Sequence, residues 1–523
     1  MHPFPGTMNT PIVASARALA PRKAEPRAPR PATRDMAFDA LAWCTLRLGR
    51  FGPIRRAIAS SLEARIRRRA DLAPSQLRHP AAVGQDKVAL ALGLLGAAER
   101  GLARGQIGAP ALRALIKTLG GDILVHRGGA SAKDEFRARH DGQTPCDFLV
   151  ISPGKACNLR CRGCYANSGA NREKLDWPTF ERILRDAHDH WGTRFFVISG
   201  GEPLAWRDGD RGFLDLAREF PDCFFVMYTN GTLITDAVAK RLGQMGNVSP
   251  AVSIEGMRER TDARRGVGVF DKVLAAVERL RREGVIIGVS LTATRENADE
   301  IMDDAVYDQF FEDFGATYAF VFHYMPIGRS FTLDLMMSPE QRLRLLEREW
   351  WLVRNKHVFI ADFWNSATAT NGCVAAGRPG GYFHINWNGD VSPCVFVPYS
   401  PVNVKDVFAR GGTLDDVWED PFFSDIRKWQ RGYGYREAVE TCPDCGNWLA
   451  PCPIRDHHAD FMEILRRHAP RPTDEGARAA LEDAGYHEGL VRFGQELDRL
   501  TGPVWRERYA QGRGAPPAPM TRH

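Results

Sequence analysis

Cys157-Asn158-Leu159-Arg160-Cys161-Arg162-Gly163-Cys164-Tyr165 is the stretch around which the chain is organised. Its three cysteines are spaced by three residues and then two, among small and basic neighbours that make poor core and a good loop. Three thiolates can hold three irons of a cubane and leave the fourth iron without a protein ligand, which makes a cluster reactive. Half of a zinc site is the alternative, although zinc cages usually pair their cysteines and place a second pair downstream.

Outward from that loop the pattern alternates between strand and helix. Phe148–Ile151 reads as a short strand feeding the loop. Strands follow at Phe195–Ser199, Phe224–Tyr228, Ala251–Ile254, Val285–Leu291 and Tyr318–His323. Helices are expected between them at Trp177–Trp191, Phe213–Phe220, Thr235–Gly243, Phe270–Glu283 and Ile301–Phe314. Six such units argue for parallel strands with crossover helices, an α/β barrel or open sheet whose ligands gather at the carboxyl ends of the strands. The second strand ends in Ser199-Gly200-Gly201-Glu202-Pro203, where two glycines allow close backbone approach and a carboxylate can receive an ammonium group.

The loop followed by an aromatic, with Gly-Gly-Glu-Pro about forty residues later, resembles the radical SAM superfamily. The resemblance implies a partial (β/α)6 TIM-like barrel, a 4Fe-4S cluster on Cys157, Cys161 and Cys164, and S-adenosylmethionine (SAM) with its amino group on Glu202. Tyr165, Gly200, Gly201, Ser253, Glu255 and Asn297 are the further positions it points to for cofactor binding, with Met325-Pro326-Ile327-Gly328 bordering the adenine. Thr261 to Gly266 is similar to the Arg-Gly turn of peptide-modifying relatives. The chemistry implied is reductive cleavage of SAM to a 5′-deoxyadenosyl radical that takes hydrogen from a substrate, with a reductant such as flavodoxin or ferredoxin. No acid–base pair need be visible for such a step, and no catalytic side chain is assigned.

A second cysteine set follows a helical linker at Pro339–Lys356: Cys373, Cys394, Cys442, Cys445 and Cys452. Gly381–Val397 reads as a hairpin turning at Asn388-Gly389, a strong two-residue signal, with Cys394 on the returning strand. This resembles the SPASM or shortened twitch extensions of radical SAM enzymes. Asp456 stands where a further cysteine would be expected, so the resemblance implies one auxiliary 4Fe-4S cluster, with Asp456 or His457 as outside candidates for ligands. Zinc on Cys442, Cys445, Cys452 and His457 is the alternative, and reduced buried thiols the third. Cys44, Cys146 and Cys223 have no metal spacing.

The 523 residues imply several domains, and the net charge of +6 is uneven. Residues 1–72 carry 14 Lys or Arg against five Asp or Glu, leaving about −3 for the rest, which argues against a nucleic-acid-binding body. The division read from these signals is a disordered basic tail (1–35), a helical extension (36–145), the radical SAM core (146–335), a linker helix and auxiliary-cluster region (336–460), C-terminal helices (461–510) and a disordered tail (511–523). The longest apolar run, Val88 to Ala98, is short for a membrane span, and eleven cysteines without a signal sequence point to a reducing, cytoplasmic compartment.

Residues 38–70 set Leu41, Leu48, Phe51, Ile54, Ile58, Leu62 and Ile66 against many arginines, a face for peripheral membrane contact or for packing on the protein. The SPASM-like tail favours a peptide or protein substrate. The basic helix, with Phe359, Phe363, Trp364, Phe383 and Trp387, suits a membrane lipid. A peptide maturase usually carries a winged-helix docking domain, for which the helical 38–145 offers no strand pair. The alternative outside catalysis is an iron–sulfur or zinc scaffold.

Overall fold

A computed structural model describes residues 45, 47–49, 51–70, 80–118, 130–435 and 446–510. The tails read as disordered, Cys44, Cys442 and Cys445 lie outside them. Six parallel strands form the centre: β1 (Phe148–Ile151), β2 (Phe195–Ile198), β3 (Phe224–Thr229), β4 (Val248–Ser253), β5 (Gly288–Ala293) and β6 (Tyr318–His323), each paired with the next in chain order. Helices on the outer face complete the crossovers. In Trp177–His190, Asp176 accepts from Thr179 N–H to cap the first turn, and Phe180, Ile183, Leu184 and Ala187 bury one stripe against the sheet.

The strands are apolar on both faces, as parallel strands buried on both sides must be. Leu149, Ile151, Phe196, Ile198, Phe225 and Met227 face the helices and are all but inaccessible. Phe148, Val150, Phe195, Val197 and Tyr228 line the lumen instead. In-register Phe148, Phe195 and Phe224 form a ladder of rings, with centroids 6.1 and 6.3 Å apart.

Two extensions of this sheet escape the sequence reading. Ile360–Asp362 (β7) pairs parallel with β6, and the outgoing hairpin strand Tyr382–Ile385 (β8) pairs parallel with β1. Its partner Asp390–Ser392 (β9) and then Val402–Asn403 (β10) continue that edge antiparallel. The cysteine-bearing hairpin therefore belongs to the barrel's own sheet and core. Side chains close the gap between the two edges: the Phe363 ring, just past β7, lies 5.8 Å from that of Tyr382 in β8.

Other boundaries shift for local reasons. β4 starts at Val248, since Ser249 satisfies its hydroxyl on Ile286 O and Tyr318 Oη. The ladder of β5 starts at Gly288, where the Tyr318 ring fills the space of a side chain. The expected Ile301–Phe314 helix is broken at Asp303, which caps Asp304–Asp308.

The described part of the N-terminal extension is helical: Gly52–Ala70, Ala81–Ala103, Ala109–Leu115 and Ala130–Arg139. Ala81–Ala103 is long and apolar enough to cross a membrane by length and composition. It buries Val83, Asp86, Ala89 and Leu92 against the protein, with Asp86 accepting from Thr368 Oγ1 (2.7 Å) and Tyr509 Oη (2.8 Å) and paired with Arg354. Ile58 and Leu62 on helix Gly52–Ala70, and Leu48 and Phe51 just ahead of it, turn outward, 40–60% exposed.

Candidate active site

The cysteine loop leaves β1 and lies across the carboxyl ends of the strands. Short backbone bonds knit it to the loop after β2: Gly201 N–H donates to Gly154 O (2.9 Å) and Glu202 N–H to Ala156 O (2.8 Å). A Cβ on Gly201 would run into the Ala156 and Lys155 carbonyls, and Gly200 has φ 110°, so both positions require glycine. Tyr165 fastens the loop's far end. Its hydroxyl lies 2.7 Å from Ser199 Oγ and accepts from Gly200 N–H (3.1 Å). Asn230, after β3, donates to Asn158 Oδ1 (2.9 Å) and approaches Cys157 Sγ at 3.7 Å.

Cys157, Cys161 and Cys164 are half-buried free thiols on one wall of a cavity of about 360 Å³. Burial pushes the Cys157 thiol up to about 11. Arg264 and Arg265 stand on the same wall, gripped by the buried carboxylate of Glu255, which also accepts from Thr292 N–H (3.0 Å). Burial opposes ionisation of Glu255, but the two guanidiniums outweigh it and hold its pKa below the usual carboxylate range. The Arg265 cation in turn feels the Cys161 and Cys164 sulfurs.

Away from the cysteines the lumen is aromatic and aliphatic. Phe195, Tyr228, Phe320, Phe322, Phe363 and Phe396 contribute, with Tyr228 and Phe322 5.3 Å apart edge to face. His323 also lines that end. Its Nε2 lies 2.7 Å from Asp362 Oδ2, Arg455 approaches Nδ1 at 3.2 Å, and the ring stacks on Trp364. Burial pulls the imidazole down to about 4 despite Asp362, leaving it neutral near pH 7.

Behind the Phe363–Tyr382–Phe396 wall, Cys373, Cys394 and Cys452 converge on a second, smaller cavity of about 30 Å³, lined by those same three aromatic residues on its near side. Cys373 precedes the hairpin, Cys394 follows β9, and Cys452 comes from the turn ahead of helix His458–His468. Burial raises all three thiols, Cys373 to about 11.

Comparison with known proteins agrees with this geometry. The radical SAM superfamily matches residues 151–306, and the iron–sulfur cluster-binding SPASM domain matches 373–446. This is a radical SAM enzyme with a C-terminal SPASM region. The mycofactocin maturase MftC of Mycolicibacterium smegmatis is 28% identical over 334 residues, covering 61% of this chain and 79% of that protein. An AdoMet-dependent heme synthase of Nitratidesulfovibrio vulgaris is 25% identical over 346 residues, 60% of this chain and 87% of that one. The Fe-coproporphyrin III synthase of Methanosarcina barkeri reaches 32% over 167 residues, but the chain spans only 41% of its length. Among solved structures, Streptococcus suis SuiB bound to the precursor peptide SuiA superposes with a TM-score of 0.50 at 20% identity, over 63% of this chain and 76% of that one, a likeness of fold.

The donor set suits the cofactors this family uses. Three free thiols on one loop, beside a fixed cation and open to a cavity, fit a 4Fe-4S cluster with one iron left for SAM, and the SPASM region adds auxiliary iron–sulfur binding.

Tyr165, Gly200, Gly201 and Ser253 line the cavity with the three cysteines, as do Thr229, Asn230 and Met325. Glu202, Glu255 and Asn297 stand behind its wall. Glu202 is 1% exposed and accepts from Leu204 N–H, Thr229 Oγ1 and Asn230 N–H, so it braces the loops after β2 and β3; burial raises its pKa against those bonds. Asn297 donates to Glu255 O and Thr292 O and accepts from Thr294, with no polar atom left over for an adenine.

The outside candidates in the second cysteine set are also engaged. Asp456 pairs with Arg342 (2.8 Å) and Arg455 (2.9 Å), and His457 Nε2 lies 2.9 Å from Ala450 O. Of the aromatics offered for a lipid, only Phe363 lines the main cavity, whereas Phe383 packs on Phe423 in the core. Arg265 falls in the Thr261 to Gly266 turn named from the sequence, whereas Tyr228, His323 and Tyr382 were not singled out by it. For Tyr228 and Tyr382 the signal was alternation, since residues two apart on one strand share a face; His323 is the last residue of β6, next to the lumen-lining Phe322.

Proposed function

We propose that this enzyme abstracts hydrogen from a neutral, apolar side chain of a peptide or protein. The cavity carries the reading. From the cysteine loop to Tyr382 and Phe396 its wall is aromatic, and the cations on it, Arg264 and Arg265, sit at the cofactor end tied to Glu255. A tetrapyrrole, the class named by the heme synthase relatives, carries several carboxylates that would need cations at the substrate end. The maturase relatives and the SPASM match support the peptide reading.

The bound cofactors supply reductive cleavage of SAM to a 5′-deoxyadenosyl radical, with flavodoxin or ferredoxin as the electron donor. The chain's own residues do the rest. Cys157, Cys161 and Cys164 would hold the cluster, with Arg264, Arg265 and Ser253 on the SAM side. Tyr165, Gly200, Gly201 and Glu202 shape that pocket, and the aromatic lumen orients the substrate and excludes water. One auxiliary 4Fe-4S cluster would take Cys373, Cys394 and Cys452, with its fourth ligand from Cys442 or Cys445.

The test is isotopic. Reconstituted enzyme with SAM and dithionite receives either a perdeuterated peptide pool or a perdeuterated coproporphyrin. Deuterium is expected in 5′-deoxyadenosine from the peptides; label from the porphyrin alone overturns the reading.

We further propose a cytoplasmic protein held peripherally at an anionic membrane. Leu48 and Phe51 are exposed just ahead of helix Gly52–Ala70, and Ile58 and Leu62 are exposed on it among its arginines, including Arg56, Arg65, Arg67 and Arg68. Liposome flotation with phosphatidylserine vesicles checks this. Ser at Phe51, Ile58 and Leu62 should abolish binding, and unchanged binding discards the contact.

A further inference from the structure

The wall between the two cavities is one aromatic residue thick, and one of its members carries a polar group. Tyr382 is fully buried, stacks on Phe148 at 5.1 Å and lines both cavities. Its hydroxyl lies 2.9 Å from Cys394 Sγ. Val395 N–H donates to the same oxygen at 3.4 Å, so the hydroxyl's own proton is free to point at the sulfur. Either group can donate while Cys394 is a thiol, but a cluster-ligating thiolate has no proton, so at an occupied site the contact is an O–H···S hydrogen bond from Tyr382. Trp364 lines the same small cavity beside Cys452.

We propose that Tyr382 is a positioning residue joining the substrate cavity to the auxiliary iron–sulfur site. Its ring is the surface on which substrate packs, and its hydroxyl holds the auxiliary cluster at a higher reduction potential than bare thiolates would give. A hydrogen bond draws electron density from a ligating sulfur and so favours the reduced, more negative cluster. Because the ring and the hydroxyl are one rigid group, a substrate that moves the ring alters the bond to Cys394. The three-cysteine loop has a different arrangement. There Leu159 N–H lies 3.4 Å and the Asn230 amide 3.7 Å from Cys157 Sγ, both from the loops around it rather than from the lumen wall.

The inference rests on Cys394 being an auxiliary-cluster ligand, and the experiment separates the two claims. Reconstituted wild-type and Tyr382→Phe proteins are assayed for iron and sulfide, then titrated redox-potentiometrically by EPR. Phenylalanine keeps the ring's packing and removes only the hydroxyl. The auxiliary signal of the variant should shift to a more negative potential, while the signal of the SAM-binding cluster stays where it is. Pulsed EPR in H2O and D2O should show an exchangeable proton coupled to the auxiliary cluster in the wild type and lose it in the variant. Selective loss of auxiliary iron from Tyr382→Phe also counts for the hydroxyl. An unmoved potential with the proton retained in a fully loaded variant overturns the inference. A wild-type protein whose second site holds no iron overturns the assignment of Cys394 instead.

Discussion

The molecule builds two cysteine sites from the same chemistry by opposite means. Cys157, Cys161 and Cys164 share one loop, half-buried, held by backbone bonds to the neighbouring strand-end loops and by the Tyr165 hydroxyl. Cys373, Cys394 and Cys452 come from three segments and meet only because β8 pairs with β1 and the chain returns after helix Pro421–Gly432. The first site faces an open cavity and can accept a ligand. The second is sunk behind aromatic rings and braced by buried ion pairs. One is made by local sequence and the other by tertiary packing, so they should fail in different ways.

The largest effect comes from deleting one thiol at each site. Cys161→Ala should give no 5′-deoxyadenosine above background and lower the bound iron by about four, the content of one 4Fe-4S cluster. Cys394→Ala should lose about four irons too, yet still cleave SAM when dithionite supplies electrons. Iron analysis and chromatography of 5′-deoxyadenosine on both variants decide this. If Cys394→Ala also loses SAM cleavage, the sites are not independent.

The same contrast explains what could be seen in the sequence. The six strands and the loop after the first were legible because each depends on residues within a short window: apolar runs such as Phe195–Ile198, and three thiols within eight residues. The hairpin was legible through Asn388-Gly389, but its pairing partner was not, since nothing in Tyr382–Ile385 names β1 as its neighbour. Glu255 and Asn297 were read as ligand contacts from their places at strand ends. The structure engages both with neighbouring side chains and backbone instead, and it is Arg264 and Arg265 that line the cavity. A carboxylate at a strand end and an arginine pair one turn later look alike in sequence whichever of them meets the ligand.

A middle-sized effect tests whether the second site depends on packing. Asp456 occupies a position where a cysteine was expected, and its buried carboxylate accepts from Arg342, Arg455 and Cys452 N–H. Burial opposes its ionisation, but the two guanidiniums prevail and hold its pKa far below the usual carboxylate range. A depressed folded-state pKa means that its stabilisation is fully present above the unfolded value near ~3.9 and is lost as pH falls through the folded one. Asp456→Asn should cost about 3–5 kcal/mol at neutral pH, because it leaves two buried guanidiniums uncompensated. Urea unfolding at pH 7 measures this, and the gap between variant and wild type should narrow on acidification. A loss below about 1 kcal/mol would mean that the ion pairs are solvated and the second site looser than its burial indicates.

The smallest effect concerns the open site. Tyr165 bonds Ser199 and Gly200, and its ring lies 6.0 Å from that of Phe396, so one side chain touches the cysteine loop, the Gly-Gly turn and the wall between the cavities. Tyr165→Phe removes the hydroxyl and keeps the ring. Gly200 N–H then loses its acceptor while the backbone bonds of Gly201 and Glu202 to the cysteine loop remain. The cost should be about 0.5–1.5 kcal/mol, the ordinary worth of a hydrogen bond, too little to unfold the protein. Its signature is local: hydrogen exchange should quicken at Gly200 and across the cysteine loop but not at Cys394 or Cys452. If protection falls at both sites together, the aromatic wall transmits what happens at the loop, and two independently built sites become one mechanical unit.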